Sequence, residues 1–192
     1  MELYCFLLTA MRLGKSVDFV QGALASSKLQ DIVLRLCLVV YKLGMAGYLL
    51  IDNVVWAAKL KLLSADAAKL NRLAARFWLI SILAALTRNA FDIANMIRAE
   101  IRHRQRCQSP HGRGMVRVGS DSDSHEQSIV ARVAANRPLV VDSIKNICDV
   151  FLPLATLGYL KTTDGFQGLM GMISSYVGIM TIWDPALKLS PS

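Results

Sequence analysis

The chain has 192 residues, of which 54% are hydrophobic and 19% charged, and its formal net charge is +8. The hydrophobic content is high for a soluble domain, and the charged content is high for a compact multi-span transporter. A positive balance suits the anionic cytoplasmic face of a membrane, and four cysteines with no C-x-x-C pair indicate reduced thiols in a protein that is not secreted.

The first hundred residues predict helices. Residues 12–25 predict a short one, and Ser27 with Gln30 forms a capping-box pattern that predicts a longer helix over residues 28–63. Gly44 and Gly47 within it permit either a bend or close packing.

This long helix has a thin polar strip on a wide apolar surface. Arg35, Lys42 and Asn53 fall within the strip, and Asp52 lies one residue's rotation away. The pattern is compatible with a helix at the bilayer surface, a helix packed against other membrane helices, or a span with Asp52 facing protein. These four residues are predicted polar positions at the membrane interface.

A third helix is predicted to begin with Ser64 as its cap and to run to about residue 104. Its uncharged part, residues 77–87, extends only about 16 Å, which is too short to cross a bilayer alone. Arg88 and Asp92 are placed to pair at i, i+4. An embedded or bundled helix fits this pattern better than an independent span.

A polar, arginine-rich stretch divides the chain. The sequence predicts a membrane-associated helical region over residues 1–105, a flexible linker over 106–137, and a C-terminal pair of helices over 138–192. No aromatic residue is interleaved with the arginines for base stacking, so solvation or anionic lipid headgroups are favoured over nucleic acid.

At the end of the linker, Asn136 and Pro138 open an amphipathic helix that is expected to stop one turn after Pro153. The apolar side of this helix contains Val140, Ile144, Ile147, Cys148 and Phe151. The polar side contains Asp142, Lys145, Asn146 and Asp149.

Residues 166–183 contain no charge and as a helix extend about 27 Å, close to the ~30 Å thickness of the hydrocarbon core of a bilayer. They predict the one clear transmembrane helix, although a buried helix of a soluble protein is the alternative. A second span is possible. Small residues at Gly171, Ser174, Ser175 and Gly178 predict close helix packing and self-association.

No motif for a metal, a cofactor or catalysis is convincing, so the sequence indicates a protein that is not an enzyme and needs no cofactor. Arg35, Lys42, Asp52 and Asn53 also suggest a second class, a pore or small-solute transporter lined by these residues.

Several segments, taken together and in order, resemble the peroxisomal membrane protein 11 family. The segments are Arg12–Ser16, Val33–Cys37, Tyr48 with Asp52–Ala57, Ser81, Arg88–Ile93, Asp142–Asp149, Pro153–Leu154, Leu157–Gly158, Gly168–Ser175 and Pro185–Leu189.

The resemblance implies an all-helical integral protein of the peroxisomal membrane that promotes peroxisome proliferation by elongating the membrane before division. It further implies homo-oligomers, association with family paralogues, contact with fission machinery, and delivery by the import receptor for peroxisomal membrane proteins. Family members begin with an additional amphipathic region before the segment matched by Arg12–Ser16, so this sequence is expected to be a shortened or alternative form.

Overall fold

The computed structural model describes residues 2–59, 66–107, 131, 133–187 and 189. These residues form helices and no strand, which confirms the all-α prediction. The helices are α1 (Glu2–Ser26), α2 (Ile32–Lys59), α3 (Ala67–Cys107), α4 (Arg137–Thr156) and α5 (Asp164–Trp183), followed by a 3₁₀ turn (Pro185–Leu187). Most of the predicted linker lies outside the described residues, and the domain boundaries stay a prediction.

The start signals predicted for the second and third helices need correction. The Ser27 hydroxyl donates to the Leu24 carbonyl at 2.7 Å, so Ser27 satisfies a free carbonyl at the end of α1 and does not begin α2. Helix α3 is capped by Asp66, whose Oδ1 accepts from the backbone N–H groups of Ala68 and Lys69 at 3.1 and 3.3 Å. The predicted cap, Ser64, lies outside the described residues.

Helix α4 ends at Thr156, about one turn after Pro153, as the sequence predicts. Gly158 follows with a φ of 80°. The backbone N–H groups of Gly158 and Tyr159 return to the carbonyls of Ala155 and Leu154, each at 3.0 Å. A left-handed glycine therefore ends the helix.

Consecutive helices pack side by side: α1 on α2, α2 on α3, α3 on α4, and α4 on α5. The ring pairs indicate antiparallel neighbours, because Tyr48 in the second half of α2 stacks on Trp78 in the first half of α3, with 5.3 Å between centroids. Phe151 of α4 similarly meets Phe166 of α5 edge to face at 5.5 Å. Short connections between antiparallel helices explain this arrangement.

Gly44 lets α2 and α3 approach closely. A Cβ at Gly44 would collide with the Oγ of Ser81, and Ser81 is completely buried. The Ser81 hydroxyl turns back to donate to the Phe77 carbonyl at 2.8 Å, so no polar atom of this side chain is left unsatisfied at the crossing. Of the two roles that the sequence left open for Gly44, close packing is therefore the correct one.

Two helices of the described chain are long and apolar enough to cross a membrane: Ile32–Ala58, with mean hydropathy 1.7, and Ala67–His103, with mean hydropathy 1.3. The uncharged part of α3, residues 77–87, is too short to cross a bilayer alone, but the whole helix, which also carries a few charged residues among its apolar ones, is long enough. Arg88 and Asp92 are 3.7 Å apart, and such pairing lowers the cost of placing charges in an apolar region.

Helix α5 forms as predicted and ends at Trp183, but it is not one of these two candidates. Its glycines, its serines and Gln167 are less apolar than the large aliphatic residues among which they lie. The ranking of the candidate spans therefore changes in favour of α2 and α3, and a crossing by α5 stays a prediction.

The apolar surfaces of α2 and α3 are covered only in part by the rest of the described chain. In the most apolar 18-residue segment of each helix, just 28% of α2 and 22% of α3 is buried inside the protein. The core helix of a soluble protein would be mostly buried, so these surfaces are suited to lipid or to a partner helix.

Candidate functional site

Helix α4 turns much of its polar side toward the bundle and part of its apolar side outward. Asn146 is 5% exposed, whereas Ile144 and Ile147 are 43% and 50% exposed. A helix on a soluble protein would normally show the opposite distribution. Cys148, which the pattern places on the apolar side, is also buried, and burial, with a smaller contribution from Asp149, raises the pKa of its thiol. The arrangement fits a helix with apolar surroundings.

A hydrogen-bonded cluster joins α3 to α4. The amide nitrogen of Asn89, a residue only 2% exposed, donates to Asp142 Oδ2 at 2.9 Å and to Ser143 Oγ at 3.2 Å. Asn146 donates to the same Asp142 oxygen at 2.8 Å. Charge-assisted bonds of this kind fix the crossing of the two helices in a low-dielectric setting.

Two ion pairs flank the cluster. Arg88 and Asp92 are 3.7 Å apart on α3, which confirms the predicted i, i+4 pair. Lys145 and Asp149 are 3.9 Å apart on α4. The sequence predicted the Arg88–Asp92 pair on α3 and a polar side of α4, but not the contact of Asn89 with Asp142 that joins the two helices.

Lys42, predicted as an interface position, connects α2 to α1. Its ammonium group donates to the Gly22 carbonyl and to the Ser26 hydroxyl, each at 2.8 Å. Both acceptors lie near the C-terminal end of α1, where the helix dipole favours a cation. Lys42 therefore holds the end of α1 against α2.

The other three predicted interface residues are not brought together with Lys42. Arg35, Asp52 and Asn53 are half-buried, and among the described residues the Asn53 amide nitrogen is buried without a hydrogen-bond acceptor. Only Lys42 among the four lines the large cavity described below.

The small residues of α5 separate into an inner and an outer set. Ser174 is buried, and a Cβ at Gly171 would lie 3.8 Å from the Leu152 side chain of α4. Ser175 is exposed, and a Cβ at Gly178 would meet nothing within 4 Å. On one side of α5 the small residues therefore pack against the rest of the chain, and on the other side Ser175 is free to face a partner. Self-association through it stays a prediction.

A cavity of about 820 Å³ lies between the helices and receives residues from all five. Its polar lining includes cationic side chains from four helices and two carboxylates; these residues are Lys15, Asp18, Lys42, Arg88, Asp142 and Lys145. Apolar side chains of α2 and α3 complete the wall. This volume is in the range of small-molecule sites.

The outward face of α5 is strongly apolar. Met172 is 69% exposed, and the same stripe continues through Leu169, Tyr176, Ile179 and Trp183, all of them exposed. Within the part of the chain that the structure describes, no group of three or more His, Cys, Asp or Glu side chains is placed to hold a metal ion. The arrangement is that of a helical bundle with polar contacts inside and apolar faces outside.

Comparison with known proteins identifies the family of this chain. The model of the family described as peroxisomal biogenesis factor 11 matches residues 9–183. The chain is 32% identical to peroxisomal membrane protein 11B of Homo sapiens, over 94% of this chain and 78% of that protein. It is also 32% identical to peroxisomal membrane protein 11A of Mus musculus, over 93% and 75%.

A more distant similarity extends to the yeast Candida boidinii, whose peroxisomal membrane protein PMP30B is 25% identical over 83% of this chain. No solved structure matches the chain. A family match that covers nearly the whole helical bundle, together with relatives at this level of identity, leads to one conclusion: the chain belongs to the peroxisomal biogenesis factor 11 family.

Proposed function

We propose that this chain is an integral protein of the peroxisomal membrane that promotes the proliferation and division of peroxisomes. The observation that carries the proposal is the family match over residues 9–183, supported by relatives named as peroxisomal membrane proteins. The two apolar helices α2 and α3 provide membrane attachment.

The mechanism that fits these helices is membrane remodelling. Helices α4 and α5 form a pair whose outward faces are apolar while polar contacts are kept inside. Apolar faces of this kind enter the headgroup and upper acyl region, and area inserted into one leaflet favours curvature. Several copies packed through small residues such as Ser175 would add their effects.

The proposed partners follow from this role. They are the lipid bilayer, further copies of the chain and its paralogues, the import receptor for peroxisomal membrane proteins, and the membrane fission machinery. Exposed apolar surface on α5 supports contact with lipid or with a second copy.

The direct test is complementation. The full chain is expressed in cells that lack family members, and peroxisome number and length are measured by microscopy. We expect more peroxisomes, and longer ones before division. Gly44→Leu, which separates α2 from α3, is expected to fail at equal expression, and Gly168→Ala, where a Cβ has open space, is expected to behave as wild type. Peroxisomes unchanged by the wild-type chain would contradict the proposal.

The pore alternative receives less support. Of Arg35, Lys42, Asp52 and Asn53, only Lys42 lines the large cavity, so these residues do not form one polar path there. Conductance and tubulation measured on the same proteoliposomes separate the two functions. Tubulation without conductance supports remodelling, and conductance without tubulation supports a pore.

A further inference from the structure

The outward strip of α2 has the spacing of a coiled-coil helix. Within Ile32–Ala58, where the structure describes the side chains, every exposed side chain is aliphatic. Apart from Ile32, these side chains lie three and four residues apart, with Gly47 filling the one gap; they are Val33, Leu36, Val40, Leu43, Leu50 and Val54. Alternating steps of three and four are those of the a and d positions of a heptad repeat. These six residues and Gly47 are called the α2 seam below.

The residue types of the α2 seam alternate as well. Valine occupies the a positions 33, 40 and 54, and leucine occupies the d positions 36, 43 and 50. A β-branched residue at a with leucine at d favours a parallel pair of helices. Gly47 is the exception among the a positions, and α3 explains it, because a Cβ there would lie 3.0 Å from the ring of Phe77.

Spacing by itself would be weak evidence, because any helix packed on its other sides leaves a narrow outward strip with the same steps. Helix α3 shows such a strip, whose exposed residues are Leu73, Arg76, Ile80, Leu83, Thr87 and Ala90. That strip contains an arginine and a threonine, and valine does not alternate with leucine in it. The choice of residue types therefore distinguishes α2 from a helix that merely faces lipid.

The flanks of the α2 seam suit an apolar environment. The e and g positions beside it hold no charged residue, and Arg35, Lys42 and Asp52 fall at c and f positions, away from the seam. Coiled coils in water often carry Glu and Lys at e and g. From Val33 to Val54 the seam extends about 32 Å, close to the ~30 Å hydrocarbon core of a bilayer.

We propose that two copies of the chain pair in the membrane through the α2 seam, each seam packing on that of the other copy in a parallel, left-handed pair. Copies inserted with one topology hold their α2 helices parallel, so the membrane supplies the orientation that e and g charges supply in water. A repeat of 3.5 residues per turn gives the left-handed crossing, which is common among membrane helices.

This inference deepens the proposed function and rests on its membrane residence, because α2 must lie in the bilayer. It specifies a surface through which copies of the chain meet, separate from the small residues of α5. In an isologous pair of parallel helices, each seam residue meets the same residue of the other copy across the two-fold axis. That symmetry provides the test.

The test uses the full chain with its four native cysteines replaced by alanine, reconstituted in phosphatidylcholine vesicles at a low ratio of protein to lipid. Leu36→Cys and Leu50→Cys are introduced separately, and the vesicles are oxidised. We expect each variant alone to form disulfide-linked dimers. An antiparallel pair would instead bring position 36 of one copy to position 50 of the other, so dimers formed only in a mixture of the two variants would contradict the proposal.

The matched control is Leu83→Cys on the outward strip of α3. Leu83 is 51% exposed and Leu50 is 48% exposed, so the two positions are equally accessible. Leu83→Cys should form few dimers, and equal dimer formation at the two positions would mean random collision and overturn the proposal. Absent dimers in a chain that resists carbonate extraction would contradict the pairing but leave membrane residence standing. Loss of carbonate resistance from the wild-type chain as well would contradict both.

A second measurement keeps the native cysteines. Fluorescent proteins are fused to the N-terminus of the full chain, and energy transfer between copies is followed as the vesicles are diluted with lipid. Leu43→Ala with Leu50→Ala should weaken the dimer by roughly tenfold, because packing across the seam is lost. The control, Ile80→Ala with Leu83→Ala, removes equally exposed side chains from α3 and should stay within about twofold of wild type. Equal dimer affinity in the two double variants would contradict the proposal.

Discussion

Asn89 and Asp142 lie 53 residues apart in the chain and are joined across the α3–α4 interface by a hydrogen bond of 2.9 Å. The bond connects the two parts of the protein that the polar stretch separates in sequence. Because Asn89 is almost completely buried and its acceptor is a carboxylate, the interaction is made where water competes little. It therefore sets the position of the C-terminal helix pair relative to α3.

Replacing Asn89 with Ala should loosen this interface. Asp142 would lose one of its two amide donors, and loss of a hydrogen bond to a charged group costs about 1.5–3 kcal/mol. The thermal midpoint in detergent should fall, and trypsin should release the C-terminal helices sooner. Thr87→Ala, which removes an exposed hydroxyl bonded within its own helix, is the control and should change little. Equal midpoints for the two variants would contradict the role of Asn89.

Replacing Gly44 with Ala should destabilise the α2–α3 crossing by about 1–3 kcal/mol, because overpacking forces the helices apart. The added methyl group collides with Ser81 Oγ, so Ser81→Ala in the same chain should restore part of the loss. The free energies of unfolding of the two single variants and the double variant give the coupling. Additive effects would show that the close approach is not the cause.

Replacing Lys42 with Met should release the end of α1. The apolar length of the side chain is kept, while both hydrogen bonds, to Gly22 and Ser26, are lost. Amide hydrogen exchange should become faster over residues 14–26 and remain unchanged in α4 and α5, which do not pack on α1. Faster exchange throughout the protein would instead indicate general unfolding.

Arginine substitutions test which helices cross the membrane. Leu43→Arg in α2 and Met172→Arg in α5 both change exposed apolar side chains, so each places a charge in lipid if its helix spans. At the centre of a span the cost is about 2.5–3.5 kcal/mol on insertion scales. We expect both variants to be extracted by alkaline carbonate more readily than Leu43→Met and Met172→Leu. Normal resistance of Met172→Arg alone would leave α5 at the surface.

The two adjacent serines of α5 offer a matched pair. Ser175 is exposed, so Ser175→Leu should reduce crosslinked dimers without changing the thermal midpoint. Ser174 is buried within the chain, so Ser174→Leu should lower the midpoint by overpacking the contact of α5 with α4. Unchanged crosslinking in Ser175→Leu would exclude this side of the helix from self-association.

Periodicity and composition by themselves determined the helical class, the existence of each helix, and the Arg88–Asp92 pair. These properties depend on neighbours within four residues, which a sequence displays directly. The family resemblance, carried by segments such as Asp142–Asp149, was also readable from the sequence, and the family match confirms it.

Only the tertiary structure decided which side of each helix faces the bundle. The sequence shows that Asn146 and Ile147 lie on different sides of α4, but not which side faces the bundle. That choice depends on which environment, protein or lipid, covers each face, and the usual assumption for a soluble protein gives the opposite result. The contact of Asn89 with Asp142, the hold of Lys42 on α1 and the cavity between the helices join residues far apart in sequence, and only the packing of the chain brings them together.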